Sequence, residues 1–132
     1  MAGRAQYLTM PFKWTISHDE RLVTAKAEGV VVLQHIQDYL DAVVVAGAGP
    51  YAKLVDMTGA QVQLTDHDML MLGARMRAYF STGPAGPVAF VVDRSPSSDY
   101  VLRFINLASG NRPAEVFASA VEARAWLAGR NG

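Results

Sequence analysis

No cysteine occurs among the 132 residues. That excludes disulfides, thiolate metal sites and cysteine nucleophiles together, and it agrees with a reducing compartment. Net charge of either sign is also missing, because 12 lysines and arginines stand against 12 aspartates and glutamates. Nucleic-acid binders neutralise phosphates with a basic face. No lysine or arginine cluster stands here, so neither nucleic acid nor an anionic membrane is an expected partner. A near-neutral chain also has little colloidal repulsion, which makes dimers easier. Long apolar runs are absent. Val30–Leu33 and Val88–Val92 are far too short to span a bilayer. Met1 to Met10 contains Arg4 but no long apolar core, so a signal peptide is not expected and the cytoplasm is. There is no internal repeat and no low-complexity stretch.

What is present is apolar. Hydrophobic residues make up 51% and charged residues 18%, the first a little high and the second low for a soluble domain. That composition points to a well-filled core, with a self-association face as one use of the remainder. The length suits one domain, expected over 12–128 after a loose leader at 1–11.

Phe12, Trp14 and Ile16 alternate with Lys13, Thr15 and Ser17, which is a strand with one wet face. After the polar turn His18–Arg21, Leu22 to Glu28 forms the second strand of a hairpin, ended by Gly29. Leu33, Ile36, Leu40, Val43 and Val44 then recur at helical spacing, and Gly47 with Gly49-Pro50 stops that helix. Tyr51 to Met57 is a short strand and Thr58-Gly59-Ala60 a turn. Thr65 is a good N-cap for a second helix through Phe80, with Asp66 and Asp68 placed where the helix dipole favours negative charge. Leu72, Gly73, Met76 and Phe80 form its core stripe.

Gly83–Pro87 breaks that helix. Val88 to Val92 is apolar without alternation, as in a central strand covered on both faces. Tyr100, Val101, Phe104, Ile105, Leu107 and Ala108 give a third helix, closed by Ser109–Asn111. Pro113 to Phe117 is a last strand, and Ser119-x-x-Glu122 is a capping box opening a final helix through Trp126 and Leu127. The order β-β-α-β-α-β-α-β-α implies an α/β fold with a mixed, mostly parallel sheet and helices packed on it.

No catalytic residue can be named. A Gly-x-Ser-x-Gly nucleophile turn is lacking, and Gly47-Ala48-Gly49 follows a helix and has no third glycine, unlike a dinucleotide loop. His18, His35 and His67 fall on different elements without paired spacing, whereas a zinc site needs three or four converging ligands. No metal and no cofactor is expected. Asp66-His67-Asp68 is the densest polar cluster, yet successive helical residues point in different directions and cannot jointly face one ion. Helix N-terminal charge accounts for it better. Asp93 to Ser98 lies between a buried strand and a helix start, where small anions gather. Arg94, Ser97, Ser98 and Arg103 are the candidates there, against plain capping and a solvated loop. The second helix also carries Leu70, Met69 and Met71, which cannot all share its core stripe. That leaves a greasy pocket or docking face beside it, or else a wide core contact.

The layout, with Leu54-Val55-Asp56, the helix opening Leu64-Thr65-Asp66, the apolar strand Val88–Val92 and the closing Phe117…Glu122-Ala123…Trp126-Leu127, resembles the STAS domain of anti-sigma-factor antagonists. The nearest branch is the SpoIIAA-like one, also called STAS/SEC14-like, and the resemblance covers about Phe12 to Leu127. It implies a bacterial regulatory module that binds a protein partner or a second copy of itself. Antagonists of this family carry a serine near the start of the second helix, which a partner kinase phosphorylates. Here Asp66 most nearly replaces that serine, so the resemblance implies a module without the switch. The partner surface it implies comprises Thr58, Thr65, Asp66, His67 and Met69. Some members are thought to bind small non-polar molecules, which implies as the alternative a carrier with a pocket beside the second helix.

Overall fold

The computed structural model describes residues 11–93, 103, 105–107, 109–110 and 112–131. Residues 1–10 of the expected leader and residues 94–98 therefore lie outside the described residues. Strand β1 (Phe12–Ser17) pairs antiparallel with β2 (Leu22–Val31). Helix α1 (Leu33–Val45) leads to β3 (Ala52–Val62), and α2 (Asp66–Ser81) leads to β4 (Val88–Val91). A helix α3, described at residues 103, 105–107 and 109, precedes β5 (Ala114–Phe117). Helix α4 (Ala120–Asn131) closes the chain. The five strands lie in the order β1-β2-β3-β4-β5, and every pair after the first is parallel. This is the mixed, mostly parallel sheet that the pattern predicts.

The sheet is covered on both faces, unequally. Phe12, Val23, Val55, Met57, Val88 and Phe90 pack against Ile36, Leu40 and Val43 of α1, Leu72 and Met76 of α2, and Ile105 of α3. The opposite face holds a smaller cluster in which Ala52, Leu54, Ala89 and Val91 meet Ala123 and Leu127 of α4. All four residues of β4 are buried. Their alternation into two cores explains why that segment reads as apolar throughout.

Local chemistry fixes the ends of the elements. Gly47 adopts the left-handed conformation at φ +68°. Its N–H donates to Val44 O, and that of Ala48 to Val43 O, both at 3.0 Å, which is the paired C-terminal cap that favours glycine. At the start of α1, Val32 has no side-chain acceptor, so His35 reaches back and its Nδ1 accepts from the Val32 N–H at 3.0 Å. The turn after α2 packs against the one after α1: the Gly86 N–H donates to Gly49 O at 2.9 Å. A side chain at Gly86 would overlap the carbonyls of Tyr51 and Pro50. Ser119 caps α4, its Oγ accepting from the Glu122 N–H at 3.2 Å.

Three expectations need correction. Gly29 does not end β2, which continues to Val31. Thr58-Gly59-Ala60 is not a turn but part of β3, with Gly59, Ala60, Gln61 and Val62 paired to Glu28, Gly29, Val30 and Val31. The reason is a bulge: Lys26 faces Asp56 and Glu28 faces Gly59, so two residues of β3 oppose one of β2. Asp56 Oδ1 accepts from the Thr58 N–H at 3.0 Å and from Thr58 Oγ1 at 2.7 Å. That local bond is an alternative to a regular ladder at the irregularity. Third, Tyr79 rather than Phe80 completes the buried stripe of α2. Phe80 packs beside it, where a side chain at Gly110 would overlap its ring.

Candidate functional site

Past Asp56, β3 pairs only with β2, because its pairing with β4 stops at Asp56↔Val91. Residues 28–31 and 59–62 therefore form a two-stranded ribbon at the carboxyl end of the parallel strands. In open α/β sheets that is the end where binding sites collect. Thr58 stands at the root of the ribbon, its hydroxyl committed to Asp56. After Leu64, which is buried, the chain turns into α2.

Thr65 is the N-cap of α2. Its Oγ1 accepts from the Asp68 N–H, and its own N–H donates to Asp68 Oδ2, each at 3.0 Å. This reciprocal pair is a capping box with aspartate in the third position. Asp68 is thus engaged with the backbone. Asp66 and His67 are exposed beside it. Met69 is half-buried and packs on the core, while Leu70 is 73% and Met71 46% exposed. The apolar surface off the core stripe is therefore Leu70 and Met71, next to Asp66 and His67. Val30 and Val32, at the end of β2, are also exposed.

Arg94, Ser97 and Ser98 lie outside the described residues. Arg103 is helical and exposed. Among the described residues, no three side chains of the metal-ligating types stand together, and no helix is long and apolar enough to cross a membrane. His18 Nδ1 lies 2.7 Å from the Tyr51 hydroxyl. The space beside α2 is small: a cavity of about 40 Å³ lies among Phe12, Ile36, Tyr39, Leu72, Met76 and Arg112. An apolar cavity that takes up benzene is roughly 150 Å³. A wider surface groove of about 450 Å³ runs between α1 and α2 past Val44, Val45 and Ala78, bridged by an Asp41–Arg75 ion pair.

Two buried features escape a reading of the sequence. Lys53 is 2% exposed, and its Nζ donates to the carbonyls of Gly49, Tyr51 and Ala48 at 2.6, 2.7 and 3.2 Å. Burial, helped by the charge of Arg112, lowers its pKa to about 7. Tyr39 and Tyr79 bury their hydroxyls near Arg112, and burial raises both phenol pKa values. Only a lysine set among the apolar residues that open β3, ahead of Asp56, hints at the first, and no spacing signals the second.

A mixed five-stranded sheet in sequential order, three crossover helices on one face and a closing helix on the other define an α/β protein of the SpoIIAA-like fold. The solved structures that share it include an uncharacterized protein of the DUF3478 family from Shewanella loihica PV-4. It is 22% identical with a TM-score of 0.55, over 88% of this chain and 91% of that one. The anti-sigma factor antagonist SpoIIAA in its unphosphorylated form is 17% identical with a TM-score of 0.56, over 89% and 98%. An anti-sigma factor antagonist from Mycobacterium paratuberculosis is 11% identical with a TM-score of 0.56, over 91% and 97%. No family model matches the chain, and no curated protein matches its sequence.

Proposed function

We propose that this protein is a non-catalytic regulatory module that binds a protein partner through the ribbon and the first two turns of α2. The observation that carries the reading is the surface of α2, where Leu70 is 73% exposed beside the acidic Asp66. Leu70 together with the exposed Met71 makes an apolar patch, and an apolar patch rimmed by polar residues is the composition of a docking surface. Two proteins of the same fold are described as anti-sigma factor antagonists, so an anti-sigma factor is the partner class to try first.

Asp66 occupies the first position of α2, where the resemblance puts a phosphorylated serine. It supplies about one fixed negative charge, against roughly one and a half to two for a phosphoserine. Thr65, the nearest hydroxyl, is held in its cap. The module therefore binds without a phosphorylation switch.

The test is an NMR titration of the labelled protein with the anti-sigma factors of its own organism. Shifts should concentrate on residues 58–71, and Leu70→Arg should weaken binding at least about tenfold, the scale of an interface anchor. Incubation with ATP and the same factors should leave the mass unchanged. Binding that ignores Leu70→Arg, or that maps to the α1–α2 groove, overturns the assigned surface. A phosphate-sized mass gain overturns the absence of the switch.

A further inference from the structure

The sheet ends on β1, and among the described residues the outer edge of β1 is open. Hydrogen-bonded and non-hydrogen-bonded residue pairs alternate along an antiparallel ladder, which fixes the backbone groups that face outward. The Glu28 N–H donates to Pro11 O at 2.8 Å, so Pro11 and Glu28 are a hydrogen-bonded pair. The register then turns Lys13, Thr15 and Ser17 toward Lys26, Thr24 and Leu22 of β2. The N–H and C=O groups of Phe12, Trp14 and Ile16 point the other way, along the open edge.

Such an edge is a template for another strand, and proteins blunt it with brevity, charge or proline. The opposite edge of the sheet is blunted: β5 has four residues, follows Pro113 and carries Glu115. Strand β1 has six residues and pairs with β2 without a bulge. Apart from Lys13 and Ser17 it consists of Phe, Trp, Thr and Ile, all strong strand formers. Trp14 and Ile16 are only half-buried, so apolar surface borders the open backbone groups.

We infer that β1 is a self-association edge, which pairs antiparallel with β1 of a second copy and joins the two sheets across a twofold axis at Trp14. With the axis there, Phe12 and Ile16 face Ile16 and Phe12 of the second copy. Each of these pairs, and Trp14 with its counterpart, exchanges two backbone hydrogen bonds. Lys13 then faces Thr15. An axis at Lys13 would set the two lysines directly opposite, which is unfavourable. An axis at Thr15 would carry Phe12 past the end of β1, against His18, and lose a pair. Charge and strand length therefore select the Trp14 register for a copy of this same strand. The chain has no net charge, so two copies approach without long-range repulsion. One strand pair buries little area, which makes the association reversible. The edge shares no residue with the surface proposed for partner binding, so the fate of one reading does not decide the other.

The test uses the whole protein. Sedimentation over a range of concentrations should show a monomer–dimer equilibrium. Hydrogen exchange over the same range reads the edge: the amides of Trp14 and Ile16 should slow as the dimer fills. Those of Lys13 and Thr15, already bonded to β2, should not change. Thr15 is exposed on the wet face, so its variants should keep the circular dichroism of the wild type. Thr15→Lys brings a lysine against Lys13 at two symmetric places and should weaken the dimer by roughly fivefold. Thr15→Glu brings a carboxylate there and should strengthen it by about as much. A chain that stays monomeric up to about 1 mM overturns the inference. So does a dimer whose affinity is the same in both Thr15 variants, or one in which the Trp14 and Ile16 amides exchange as fast as in the monomer.

Discussion

Lys53 enters the protein from β3 with its ammonium pointed at the turn that follows α1. The carbonyls of Ala48, Gly49 and Tyr51 surround it, and Gly49 O also receives the Gly86 N–H. The side chain thereby joins the turn to the strand it leads into. Its pKa is lowered from 10.5 to about 7, first by burial and then by Arg112. Between those two values the unfolded chain holds a proton that the folded protein releases, so stability rises with pH across that window. One such group contributes up to about 1.4 kcal/mol per pH unit. Tyr39 acts in the other direction: burial raises its phenol pKa above the ordinary 10.0, so stability falls as pH climbs past that value. Urea titrations from about pH 7 to about pH 9.5 isolate the lysine, and the wild-type protein should gain stability throughout. Lys53→Met should be flat over the same range. A flat wild-type profile would mean that the carbonyls hold the ammonium at its ordinary pKa. Residue type alone hides this arrangement, because lysine in a strand suggests a wet face. The acceptors come from a turn shaped by Gly47 and Gly86, and nothing in the spacing ties that turn to residue 53.

At the scale of the element, α2 is the most legible part of the chain and its approach the least. Thr65 at the cap, Asp66 and Asp68 in the first turn, and Gly83 beyond the end all read directly from local chemistry. Replacing Thr65 with Ala should cost about 1 kcal/mol in urea denaturation, and Thr65→Ser should restore most of it, because the cap needs only an oxygen acceptor. Equal losses in both variants would show that Thr65 acts through its methyl group. The strand before α2 misleads because Thr58-Gly59-Ala60 has turn composition. Pairing with Glu28–Val31 overrides that preference, and Asp56 supplies the Thr58 N–H with a partner at the bulge. A bulge is a tertiary decision made jointly by two strands, so one strand's sequence does not disclose it. The same holds for the α2 surface. Periodicity shows that Met69, Leu70 and Met71 cannot all be buried, but only the packing shows that Met69 turns inward and Leu70 outward.

Across the whole molecule, two cores share one sheet. Val88 and Phe90 belong to the large core, while their neighbours Ala89 and Val91 belong to the small one under α4. Strand β3 alternates likewise, with Ala52 and Leu54 facing α4 and Val55 and Met57 facing α1 and α2. Neither core can lose its sheet face without disturbing the other, so the domain should unfold as one unit. The two tryptophans test this from opposite sides. Trp14 lies on the large-core face against Phe12 and Tyr39, and Trp126 on α4 against Phe117. Single-tryptophan proteins, Trp14→Phe and Trp126→Phe, should each show a fluorescence transition that coincides with loss of far-ultraviolet circular dichroism. Leu127, 4% exposed in the small core, supplies the perturbation. Leu127→Ala should remove about 2–5 kcal/mol. The lowered midpoint should be reported by Trp14, on the far face of the sheet, as fully as by Trp126. If the Trp126 signal is lost at lower urea while Trp14 keeps its wild-type midpoint, α4 is a detachable layer and the alternation of β3 and β4 does not couple the two cores.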